Sequence, residues 1–147
     1  MVRFPESFYK STGAYACYFF CLLYIAEKVT GFTFDINTVI QLCSLHKNSY
    51  GNQWLTFNWN DYEDKANFDV NAPTEILHLL TGKSWTCERV NSSTYKAKKG
   101  EYVVCHYFNP KTGLGHFRMD DFDPIQKSIT VREGKIDSYR VFRIIGD

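Results

Sequence analysis

The chain has 147 residues, a formal net charge of +1 and 17% aromatic residues. That describes one globular domain over 1–147, with enough apolar mass for a core and no net field arguing for nucleic acid or an anionic membrane. Its five cysteines are an odd number with no CxxC pair and no regular spacing, which fits a reduced, cytoplasmic protein better than a disulfide scaffold.

The first informative stretch is "STGAYACYFFCLLYIAEKVTG", residues 11–31. Its apolar run from Ala14 to Ala26 falls short of the roughly 20 residues a membrane span needs. A signal peptide is disfavoured by Glu6 in the would-be basic region and by bulky Tyr24 and Ile25 where small residues should precede cleavage. The remaining reading is an internal helix from about Tyr15 or Ala16 to Thr30, with Gly31 as a left-handed C-cap. Because it is apolar almost all round, it should be the central helix of the domain. Cys17 and Cys21 lie one turn apart. Only Cys17 is in the first turn, where free N–H groups and the helix dipole favour a thiolate. Read alone, both cysteines are small core hydrophobes.

Residues 35–47, "DINTVIQLCSLHK", read as a second helix with Asp35 as N-cap. The stretch "NSYGNQWLTFNWNDYEDKANFDV" has no clear period and reads as loop. "NAPTEILHLLTG" gives a short third helix with Pro73 near its start and Gly82 as its stop. Five strand candidates follow: "SWTCERV", "EYVVCHYF", "HFRMDDF", "SITVRE" and "YRVFRII", separated by "KKG", "NPKTGLG", "DP" and "EGKID". Helices followed by an antiparallel sheet make an α+β fold with the two parts packed face to face.

Four histidines occur. His46 and His78 sit late in helices, and His106 lies inside a strand, where it reads as a paired core or surface residue. His116 opens a strand straight after a glycine-rich turn, which places it at the rim of the sheet. A helix-tip cysteine and a strand-start histidine are what thiol hydrolysis needs, since the imidazole must take the sulfur's proton and return it to the leaving group. A third residue then orients the ring. If "HFRMDDFD" turns at Met119 and Asp120, His116 lies opposite Asp123, within cross-strand reach. Glu133 is the rival third residue, and a plain Asp-Pro turn is the simpler account of Asp123.

These residues resemble the papain-like cysteine peptidases: Cys17 opening the central helix, a "GHF" strand with His116, and Asp123-Pro124 following. The likeness is nearest to the bacteriocin-processing, double-glycine-peptidase-like group. The tail "DPIQKSITVREGKIDSYRVFRI" is similar to papain-fold proteins carried by phages and plasmids. The resemblance covers roughly 11–145. It implies a papain-like fold and a thiol hydrolase acting on an amide or thioester bond of a peptide or protein substrate, with no cofactor. Cys17 would be the nucleophile, His116 the base and acid, and Asp123 the orienting residue. The loop Tyr9–Gly13 holds no glutamine, so oxyanion binding there would fall to a backbone N–H or Ser11.

Two other functions compete. One is a catalytically inactive papain-fold module of a mobile element that binds a host protein, which exposed aromatics in "QWLTFNW" would favour. The other is a zinc site from Cys87, Cys105, His106 and His116, which lacks the paired spacing that structural zinc usually shows.

Overall fold

The computed structural model describes residues 17–35, 38–39, 72–111, 114–122 and 134–146; of Cys17, Ala72, Asn109, Leu114, Gly115 and His116 only the backbone is described. Helix α1 spans Cys17–Thr30 and α2 spans Ala72–Thr81. Both end by the same device, written in the sequence as Thr-Gly. Thr30 Oγ1 donates to the Ala26 carbonyl at 2.8 Å and accepts from the Phe32 N–H at 3.1 Å. Thr81 Oγ1 likewise donates to Leu77 O at 2.6 Å and accepts from Lys83 N at 3.2 Å. Gly31 and Gly82 then take φ of 75° and 72°, a conformation open to glycine without a Cβ penalty.

The expected central helix is borne out. Phe19, Phe20, Cys21, Leu22, Ile25 and Ala26 are fully buried, and Leu23 and Tyr24 nearly so. Burying each large side chain contributes about 1.5–3 kcal/mol, so α1 is held by packing rather than by helix propensity. Asp35 also takes the expected capping role: its Oδ2 accepts from Thr38 N at 3.3 Å and from Thr38 Oγ1 at 2.6 Å. The rest of that second helix, the "QWLTFNW" loop and the strand "SITVRE" lie outside the described residues.

Four strands, β1 (Ser84–Val90), β2 (Glu101–Asn109), β3 (Leu114–Arg118) and β4 (Lys135–Gly146), form an antiparallel sheet in the order β1-β4-β2-β3. Alternation gives the sheet two faces. Trp85, Tyr102, Val104, Phe117 and Phe142 pack toward the helices. Cys105, Tyr139 and Val141 form a second cluster on the other face, joined by Tyr95 from the loop after β1. The fold is therefore α+β, as expected. The turn after β3 is corrected by one residue. Met119 bridges Phe122, with Met119 N to Phe122 O at 2.8 Å, so the turn centres on Asp120 and Asp121 rather than on Met119 and Asp120, and the register that would set Asp123 opposite His116 is lost. Both bridge residues are buried, and that burial sets the register.

Candidate functional site

Helix α1 lies across the helix-facing side with its first turn over β3. The ring of Tyr18 stacks on Phe117, with centroids 4.4 Å apart and planes 13° from parallel. At the other end, Tyr24 stacks on Phe122 at 4.5 Å. Tyr24 Oη and Lys28 Nζ both donate to Asp121 Oδ2, at 2.8 and 2.7 Å. Burial alone would push the Asp121 carboxyl up, but these two hydrogen bonds outweigh it and hold it below its ordinary value. The helix is thus fastened at both ends to the β3 segment.

The sequence-predicted residues are placed relative to this seam as follows. Cys17 is the first residue of α1, as expected, but His116 does not open its strand: it is the third residue of β3, paired with Tyr107, and alternation from Phe117 gives it the sheet face away from α1. The side chains of both, and the whole of Asp123 and Glu133, lie outside the described residues. Their chain neighbours Tyr18 and Phe117 are the pair that stacks.

The histidine that the register sets on the helix-facing side is a different one. His106 is opposite Phe117 in the β2–β3 register, and the two rings are 4.5 Å apart. Its Nδ1 is 2.7 Å from Asp137 Oδ1, and the imidazole is 19% exposed. The carboxylate arrives by a β-bulge: His106 pairs with Ser138 and Tyr107 with Ile136, which leaves Asp137 as the extra residue of β4. A bulge of this kind re-aims a side chain, and here it brings Asp137 onto the imidazole. Ser138 Oγ also donates to Asp137 Oδ1, at 2.9 Å. Burial raises the Asp137 pKa, yet the hydrogen bonds from His106 and Ser138 prevail and keep it below the ordinary value. Nδ1–H donated to a carboxylate leaves Nε2 as the acceptor, the tautomer a general base requires.

The sequence marks His106 as a paired strand residue, which it is, but does not single out its pairing with Asp137. One signal was present: Tyr102, Val104 and His106 alternate on the core face, so a polar group stands where an apolar one is expected. Nothing in the sequence marks the bulge at Asp137.

The zinc set does not gather on one side. Cys87 and His106 belong to the helix-facing side, whereas Cys105 lies on the other, its Sγ donating to Arg118 O at 3.2 Å. Among the described residues no three His, Cys, Asp or Glu side chains converge. Burial pushes the thiols of Cys87 and Cys105 up, away from reactivity. No described helix is long and apolar enough to cross a membrane.

No protein family, curated protein or solved structure matches the chain.

Proposed function

We propose that this chain is a thiol hydrolase of papain-like fold, with Cys17 as nucleophile, His116 as base and acid, and Asp123 as the orienting carboxylate. The observation that carries the reading is the stack of Tyr18 on Phe117, which sets the helix tip bearing Cys17 over β3; His116 would have to reach the sulfur from the other face of that strand. The histidine takes the thiol proton, the sulfur attacks a carbonyl carbon, and the same proton leaves with the amine or thiol. Water then hydrolyses the acyl-thioester. A second assignment of the base is favoured by a specific observation. His106, held by Asp137 at 2.7 Å, stands on the helix-facing side beside Phe117. Under that assignment His106 and Asp137 replace His116 and Asp123 around the same Cys17.

Acetylation by p-nitrophenyl acetate, read by intact-mass and peptide mass spectrometry, tests the function and separates the two assignments. The reading expects a single acetyl group on Cys17, with its formation slowed by His116→Gln or by His106→Gln, whichever removes the base. Acetyl groups spread over several cysteines, unchanged by either substitution, would favour the non-catalytic module that binds a host protein.

A further inference from the structure

On the helix-facing side, β1 and β4 set two arginines directly opposite each other, Arg89 and Arg140. Like charges in that position repel and destabilise a sheet unless something neutralises them. Among the described residues, neither contacts a carboxylate. Arg89 is exposed, and its Nε donates only to Asn91 Oδ1, at 2.9 Å. Arg140 is half-buried; its Nη1 donates to Ser138 Oγ at 2.8 Å and, more weakly, to Tyr139 O at 3.4 Å. Its guanidinium lies over the Phe117 ring at 5.6 Å. The nearby carboxylate of Asp137, hydrogen-bonded to His106 and Ser138, offsets part of the Arg140 charge without direct contact.

The other face of the same strand shows what a neutralised arginine looks like here. Arg143 donates to Glu101 Oε2 at 2.7 Å and to Glu88 Oε2 at 2.9 Å. Among the described residues, the Arg89–Arg140 pair thus lacks the direct carboxylate contact that Arg143 has on the same strand. Burial, and then the charge of Arg89, pull the Arg140 guanidinium down from its ordinary value, and the charge of Asp137 makes up only part of the difference.

We infer that Arg89 and Arg140 form an anion-binding site at the tip of α1, shaped for an oxyanion, either a carboxylate or a phosphate group. The planar guanidinium fork matches both groups in bidentate geometry. Neutral partners line the site: Tyr18, the second residue of α1, and Cys87 are hydrogen-bonded to each other beside Arg140, and burial pushes both of their pKa values up. Assigning the anion to the substrate, so that the hydrolase selects acyl compounds bearing a negative group near the scissile bond, rests on the thiol-hydrolase reading. The binding itself does not.

The test follows the Nε–H resonances of Arg89 and Arg140 by NMR in the full chain. Inorganic phosphate and acetate are titrated separately, with ionic strength held near ~0.15 M by chloride. The inference expects saturable shifts of both resonances with at least one anion, and the comparison tells a phosphate site from a carboxylate site. Arg140→Lys should weaken binding about tenfold, since a point charge cannot replace the fork. Arg89→Gln should weaken binding while leaving the remaining spectrum in place. Shifts that never saturate, or that are the same in both variants, would overturn the inference. Saturable binding without acetylation of Cys17 would sink the hydrolase reading and leave the anion site standing. Acetylation without binding would do the opposite.

Discussion

Tyr18 and Phe117 stack nearly parallel at 4.4 Å, and each is the chain neighbour of a residue that the sequence marks for chemistry. The contact couples the first turn of α1 to β3, so the geometry of the candidate site depends on it. Double-mutant cycles with Tyr18→Leu and Phe117→Leu, measured by urea unfolding, should return a coupling of about 0.5–1.5 kcal/mol. A coupling near zero would mean that the helix tip is positioned by something else.

Cys17 and Cys21 look alike in sequence but should behave in opposite ways. Cys21 is fully buried among the core side chains of α1. Cys21→Ala should therefore cost about 1 kcal/mol of stability and spare acetylation. Cys17→Ala should abolish acetylation and barely move the melting temperature. Paired measurement of thermal unfolding and acetylation on both variants checks this. Loss of reaction in Cys21→Ala with retention in Cys17→Ala would reverse the roles.

Much of the fold was legible because local chemistry and tertiary packing agree. Gly31 and Gly82 stop the two helices where the sequence places them, and β1 matches "SWTCERV" residue for residue. The errors fall where period two fails. β4 begins at Lys135, four residues before "YRVFRII", because the bulge at Asp137 breaks the alternation and makes "KIDS" read as loop. The same bulge hid the His106–Asp137 pair, since a carboxylate displaced onto the other face leaves no periodic trace. Arg89 and Arg140 were equally silent, because opposition across β1 and β4 is set by a register that no local pattern encodes.

Glu101 makes the sheet sensitive to acid. Its side chain is 5% exposed and accepts from Tyr95 Oη at 2.6 Å, from Lys98 N at 2.9 Å and from Arg143. The Tyr95 hydrogen bond first, then that from Lys98, hold its pKa down to about 2. A carboxyl depressed on folding stabilises the protein above its unfolded value of about 4.3, and the contribution is lost as pH falls toward the folded value. The urea midpoint of the wild type should therefore fall between about pH 4.5 and pH 2 more steeply than that of Glu101→Gln. Parallel profiles would contradict the assignment.

The most direct measurement of the central claim is the pH dependence of iodoacetamide alkylation, followed cysteine by cysteine with peptide mass spectrometry. A thiol at a helix tip beside a histidine should react well below pH 8. Cys87 and Cys105, whose pKa values burial raises, should lag behind it. The account predicts that Cys17 is alkylated first, with its midpoint displaced to lower pH, and that the displacement shrinks in the variant lacking the partner histidine. Alkylation of Cys17 no faster than that of Cys87 or Cys105, with a midpoint near the ordinary thiol value of about 8.5, would contradict it.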